Sequence, residues 1–269
     1  MKAADSSYFE ASRDRLVRRL GKPLCEHGRG GGRRGRVKAL DDLAGAGLPV
    51  PDGVVLTEEA HGVFLEESGV IEGIKVAAWR GEEPRQKASE IRSRYGAEPM
   101  EAALYRGICQ ALIELGAPEV AVLAEDYEKR ALKTIPDVVG AVREAWLCAD
   151  GLEWQIEEAA AREGVPTWPV LIQRDLSPLY TGWSTVEETP TETPRVGHRS
   201  GGNKVALYDV EPFGAGSPER RGIARLTLQA ASALGADRGR IFWGLEGGVW
   251  YVLSTEIEGD EGPVVGRFS

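Results

Sequence analysis

The sequence predicts an α+β fold of two lobes, a helix-rich part over residues 1–165 and an antiparallel-sheet part over residues 166–269. Three observations carry that expectation. Through the first part, apolar residues recur at helical spacing, most clearly at Leu104, Ile108, Leu112 and Leu115, the pattern of a helix with one buried face. From Pro166 onward the chain turns to short runs rich in β-branched and aromatic residues, which suit a pleated, half-buried surface. The last two runs, 241–245 and 249–253, flank Glu246-Gly247-Gly248, where glycine supplies the positive φ of a hairpin turn.

Length and composition agree. A chain of 269 residues is long for one core and points to one large or two closely joined domains. Hydrophobic content of 42% with 28% charged residues is that of an ordinary globular protein. The net charge of −9 argues against nucleic acid or an anionic membrane as the main partner, and confines any positive site to a local patch such as residues 29–38. No apolar run approaches the ~20 residues that span a bilayer, and the N-terminus lacks a signal-peptide core. A cytoplasmic location is expected. Cys25, Cys109 and Cys148 are odd in number and widely spaced, which fits reduced thiols, with Cys109 and Cys148 as small core residues. His27, His61 and His198 are scattered, and His198 reads as a loop histidine.

In chain order, residues 7–20 read as a helix with Phe9, Leu16, Val17 and Leu20 on its apolar side, ended by Gly21, Lys22 and Pro23. Residues 28–36 form a glycine-rich basic loop. It runs into a short helix with Val37, Leu40 and Leu43 or Ala44 on one face, which Gly45 and Gly47 end. Pro49, Pro51, Asp52 and Gly53 are turn residues that deliver the chain into a strand at 54–56. Thr57 then caps a helix whose first turn holds Glu58 and Glu59. Helical patterns follow at 70–79, 84–95 and beyond Glu98-Pro99, where Leu104, Tyr105, Ile108, Leu112 and Leu115 recur until Gly116 and Pro118. Residues 119–123 are a short strand, YEKRALKTIP a charged loop, and 136–149 and 151–163 two more helices. Strands at 170–174 and 180–186 come next, then a loop rich in Thr, Pro, Glu and Gly at 187–203 and a strand at 204–210. Ser217 caps a helix with Pro218 in its first turn, which runs to Gly235.

The loop at 28–36 admits two readings. Its glycines let successive backbone N–H groups converge, the helix start adds partial positive charge, and Arg29, Arg33, Arg34, Arg36 and Lys38 supply cations, so it suits an anion. Gly/Arg runs are equally common as solvated, flexible arms, and no GxxxxGK[ST] spacing is present.

Residues 38–69, KALDDLAGAGLPVPDGVVLTEEAHGVFLEESG, resemble the N-terminal segment of the nucleotide-binding domain of pyruvate phosphate dikinase and phosphoenolpyruvate synthase. There a Gly-Gly-Lys-Gly loop precedes a helix and a Gly-Leu-Pro-Val-Pro turn. That domain is shared with rifampicin phosphotransferases, so the resemblance implies an ATP-grasp-like fold. Counting back from the proline turn puts Arg36 at the family's loop lysine, with Lys38 two residues on. Gln173 and Arg174 end a run similar to the family strand that passes the adenine, although Gln173 reads as well as a plain strand residue.

Other positions depart from the family. Leu123-Ala124-Glu125-Asp126 stands where an arginine and two serines contact phosphate. In the hairpin, Phe242 takes the place of a metal-binding glutamate, Ser254 that of a second metal ligand, a glutamine, and Glu256 that of a phosphate-facing arginine. Magnesium needs hard oxygen ligands that an aromatic ring lacks, and a carboxylate in place of a cation reverses the sign of a phosphate contact. Glu246 and Glu256 could form a displaced metal site or be ordinary surface acids. The resemblance therefore implies a diverged ATP/AMP-binding domain. ATP binding is expected to be weak and little affected by magnesium, and phosphotransferase activity reduced or lost. The alternative is an active subunit that passes a phosphoryl group from ATP to a separate phosphohistidine or pyruvate-binding protein.

Overall fold

The computed structural model describes residues 16–22, 35–81, 83–96, 100–125, 127–161, 164–188, 199–200, 203–208, 217–236 and 238–257. They form two compact units between which the chain passes three times. Of the described residues, one unit holds those up to Arg19 with those of Asp52–Asp175, the other those of Leu20–Pro51 with those from Leu176 onward.

The first unit is built on a five-stranded sheet in the order β1-β2-β5-β3-β4, comprising β1 (Val17–Arg19), β2 (Gly53–Leu56), β3 (Val120–Leu123), β4 (Glu128–Leu132) and β5 (Val170–Arg174). Every adjacent pair is antiparallel. The central strands β2, β3 and β5 are almost wholly apolar and buried along their length, as strands covered on both faces must be. Among the described residues six helices belong to this unit: α2 (Glu58–Glu67), α3 (Val70–Arg80), α4 (Pro84–Tyr95), α5 (Ala102–Leu115), α6 (Ile135–Trp146) and α7 (Ala149–Ala161). The Thr57 hydroxyl caps α2 by accepting from Ala60 N–H at 3.2 Å, with Glu58 and Glu59 beside the positive end of the helix. Phe64, Ile74, Leu104, Ile108, Val142, Trp146 and Leu152 close over the sheet with at most 1% of their surface exposed.

The second unit carries an antiparallel sheet in the order β10-β9-β6-β8-β7. Its strands are β6 (Tyr180–Glu188), β7 (Arg199–Ser200), β8 (Asn203–Tyr208), β9 (Gly239–Glu246) and β10 (Val249–Ile257), and its helices are α1 (Arg36–Gly45) and α8 (Pro218–Leu234). Ser217 caps α8 by accepting from Arg220 N–H at 3.2 Å, and Gly235, at φ 58°, ends it. The helix lies on one face of the sheet. There the Thr227 and Ser184 hydroxyls share a 2.6 Å hydrogen bond, and Gly222 brings the helix close to Trp250. The proline turn joins the same sheet through Val252 N–H, which donates to Pro49 C=O at 2.8 Å.

Three local expectations need correction. Val17–Arg19, expected to end a helix over 7–20, is the edge strand β1, paired with β2 from Val17↔Leu56 to Arg19↔Val54; residues 7–15 lie outside the described residues. Glu128–Leu132, expected to be loop, is β4. The strand at 170–174, assigned by sequence to the lobe 166–269, is the middle strand of the first unit's sheet, between β2 and β3. Tyr105 is also 40% exposed and not on the buried side of α5.

Candidate functional site

The cations expected to meet phosphate begin at α1. Gly35 occupies its N-cap in an extended conformation and offers no side-chain oxygen to the first-turn N–H groups. No acidic residue stands in that turn, so the positive end of the helix keeps its partial charge. Arg36 is the first helical residue and half-buried. Lys38 is more exposed and its ammonium lies 3.4 Å from Asp42 one turn on, a solvent-screened pair. Val37, Ala39, Leu40 and Leu43 anchor the opposite side of α1 in the core. Arg29, Arg33 and Arg34 lie outside the described residues, as do His27 and His198.

Gln173 and Arg174 belong to the other unit. Gln173 is 4% exposed and pairs with Gly53 on β2 and Ala121 on β3. A methyl group on Gly53 would come within 2.9 Å of Ile172 C=O, so glycine is what lets β2 approach β5 this closely. Arg174 is half-buried at the end of β5 and its backbone N–H donates to Asp52 C=O at 2.8 Å.

The charged stretch after β3 folds back as β4, and its cations are engaged. Lys129 reaches both Glu144 oxygens at 3.0 and 3.1 Å, Arg130 holds Asp175 at 2.6 and 2.9 Å, and Lys133 lies 2.9 Å from Glu119. Tyr127 donates its phenolic O–H to Glu144 at 2.7 Å. Burial, and then this bond to a carboxylate, push the tyrosine pKa up. Burial works against ionisation of Glu144, but its bonds to Tyr127 and Lys129 hold its pKa below the usual value. Asp175 also accepts from Ala131 N–H at 2.7 Å, where β4 bulges against β3 and Ala131 adopts φ 56°. That bulge puts a non-glycine residue in the left-handed region. Nothing in the run EKRAL signals it, because four of its five residues are exposed and only Leu132 is buried.

The β9–β10 hairpin places the substituted positions opposite one another. Phe242 pairs with Ser254 and Arg240 with Glu256, next to a register shift between Val252 and Ser254. Phe242 also faces Trp183 across β6. The Arg240 guanidinium sits 5.2 Å above the Trp183 ring and its Nη1 lies 3.3 Å from Glu256. The backbone thus sets two positions opposite one another whose side chains are a phenyl ring and a single hydroxyl. The carboxylate beyond them is matched by its own cross-strand cation. Among the described residues no group of three or more His, Cys, Asp or Glu side chains is placed to hold a metal. The reading of Glu246 with Glu256 as a displaced metal site is overturned by register. Glu256 sits opposite Arg240, six residues along β9 from Glu246, a separation of roughly 20 Å at strand spacing. Glu246 instead accepts from Ser177 N–H at 2.8 Å.

Among the described residues no helix is long and apolar enough to cross a membrane. A comparison with protein-family models finds no match. Over 100 residues the chain is 35% identical to the phosphoenolpyruvate synthase of Aeropyrum pernix, a match that takes in 33% of this chain and 12% of that protein's length. The crystal structure of D-alanine–D-alanine ligase from Bacillus anthracis superposes with a TM-score of 0.42 at 10% identity, covering 82% of this chain and 55% of the ligase.

Proposed function

We propose that this chain is a diverged, ATP-grasp-like binding module for a nucleotide or phosphate, related to the nucleotide-binding domain of pyruvate phosphate dikinase and phosphoenolpyruvate synthase, with phosphotransfer reduced or lost. The observation that carries the reading is the hairpin register, which sets Phe242 against Ser254 and Arg240 against Glu256. If positions 242 and 254 correspond to the family's two metal ligands, the residues there supply one hydroxyl where two oxygen ligands would stand. The side-chain-uncapped start of α1, with Arg36 in its first turn, is the feature left to attract an anion. Gln173 and Arg174 are the proposed neighbours of the base.

Thermal melting with ATP, with and without magnesium, tests this directly. A ligand at ~100 times its dissociation constant adds about 2.7 kcal/mol. The expected result is a shift only at high ATP concentration, equal in the two conditions. A large shift that requires magnesium would place the metal site elsewhere and favour the second reading, which Arg36 keeps open. In it the chain is an active subunit that passes a phosphoryl group to a separate phosphohistidine or pyruvate-binding protein.

A further inference from the structure

The first unit contains a buried polar cluster that the proposed nucleotide chemistry does not use. His61, on α2, has none of its surface exposed. Its ring stacks on Trp146 of α6 at 5.2 Å with an interplanar angle of 6°, and meets Trp168 edge-on at 4.4 Å. Trp168 lies in the link from α7 to β5, and its backbone N–H donates to His61 Nδ1 at 3.1 Å. That bond requires a lone pair on Nδ1 and so places the single proton of the neutral ring on Nε2. Two residues earlier in the link, Pro166 C=O accepts from Gln155 Nε2 at 2.7 Å. Two buried side chains therefore grip the backbone that leads into β5.

The grip is under-satisfied. His61 Nε2, Gln155 Oε1 and Trp146 Nε1 are all buried without a hydrogen-bond partner among the described residues, so the cluster lies short of its full hydrogen-bonding capacity. Burial drives the His61 pKa from 6.5 down to about 3. The ionisable side chains of the surrounding helices all reach solvent: Glu58, Glu59, Glu66 and Glu67 of α2, Asp137, Arg143 and Glu144 of α6, and Asp150, Glu153, Glu157 and Glu158 of α7. The link 164–169 has none. Cys148, whose Sγ and the Trp168 ring both lie against Gly151, offers a thiol and not a carboxylate. Among the described residues no carboxylate is placed to welcome an imidazolium.

We propose that His61 is an acid-sensitive latch: its neutral imidazole pins Trp168 in the lead-in to β5, and protonation releases that segment. A protonated ring carries N–H on both nitrogens, so Nδ1 can no longer accept from Trp168 and the charge has no partner. The segment must open to let water reach the ring. The sign follows from the lowered pKa. Above about pH 6.5 both the closed and the open forms are neutral and the latch is pH-independent. Below it the open form takes up a proton that the closed form refuses, and the closed form loses about tenfold in population ratio per pH unit until about pH 3. The segment feeds β5, which ends in Gln173 and Arg174, but the latch itself assumes nothing about nucleotide.

Hydrogen exchange on the full chain, read at the Trp168 amide and compared with amides of β2 and β3, tests it without ligand. The wild-type protein should lose about fivefold protection at Trp168 between pH 6.5 and 5.5 and nearly tenfold more between pH 5.5 and 4.5, after correction for intrinsic rates, while β2 and β3 stay protected. His61→Asn, which keeps an acceptor near the Nδ1 position and cannot take the charge, should show a flat profile. The same acid dependence in His61→Asn, or loss of Trp168 protection only in step with β2 and β3, would overturn the latch. Should His61→Asn fail to fold, ring nitrogen shifts of the wild-type histidine decide. Titration near pH 6.5 with Trp168 still protected would overturn it, and a ring that stays neutral wherever Trp168 is protected upholds it.

Discussion

The two faces of the β9–β10 hairpin make different demands on the sequence. On the face toward α8, Ile241, Trp243 and Val252 are at most 2% exposed, and Trp243 meets Trp250 edge-on at 5.3 Å. On the other face stand Arg240, Phe242, Ser254 and Glu256, mostly half-buried or exposed. Because side chains alternate along a strand, one hairpin can keep the packing that builds its sheet while every group that would do chemistry on its far side is exchanged. The packing of the sheet and the make-up of its far face are thus separable within a stretch of about 20 residues.

The largest test of that separation is Trp243→Ala. Removing a fully buried indole should cost about 3–5 kcal/mol, seen as a fall in the denaturant midpoint, whereas Phe242→Ala on the half-buried face should cost under about 2 kcal/mol. Equal losses from both would mean that Phe242 is as much a part of the core as Trp243. The far face would then owe its composition to packing.

The same contrast explains what could be read in advance. The caps at Thr57 and Ser217-Pro218, the Gly-Gly hairpin and the mixed α+β character follow from local chemistry, and each is found in the structure. The strands β1 and β4 escaped because neither carries alternation. Leu16, Val17 and Leu20 fall at helical spacing, yet Val17 pairs with Leu56 on β2, 39 residues along the chain. Membership of β5 in the first unit's sheet is likewise decided by its neighbours β2 and β3, not by its own residues. His61 gave no signal beyond its residue type, since burial between Trp146 and Trp168 is set by three separate segments. At the hairpin, the family resemblance singled out Phe242, Ser254 and Glu256, but only register shows that Phe242 faces Ser254 and that Glu256 is matched by Arg240.

If the far face has lost its phosphate chemistry, any anion affinity left in this unit should reside at the start of α1. Arg36→Ala should then weaken ATP or inorganic phosphate binding by about 1.5–3 kcal/mol, the usual worth of a charged hydrogen bond, and shift the melting temperature little. Lys38→Ala, whose ammonium is exposed and already near Asp42, should cost less, and its effect should vanish at high salt. Calorimetric titration at two ionic strengths separates the two. Equal, salt-abolished losses would mean that the basic segment acts as a diffuse charge and that no defined site survives there.

The smallest effect asks whether the far face is inert or merely neutralised. Arg240 and Glu256 are direct cross-strand partners, and Arg240 also lies over Trp183. A double-mutant cycle of Arg240→Ala and Glu256→Ala should return a coupling of about 0.2–1 kcal/mol. Arg240→Ala should exceed Glu256→Ala by the ~0.5–1 kcal/mol of its contact with the indole ring. The informative arm is ligand binding to Glu256→Ala, which leaves the Arg240 cation without its carboxylate partner. Held down on Trp183, with Phe242 and not an oxygen ligand beside it, that guanidinium should raise ATP affinity by no more than about threefold, and only at low salt. A gain of tenfold or more that disappears in Glu256→Ala/Arg240→Ala would break the comparison. The face would then be a phosphate site that a single carboxylate holds shut, and the divergence of this chain would be one of charge balance more than of lost ligands.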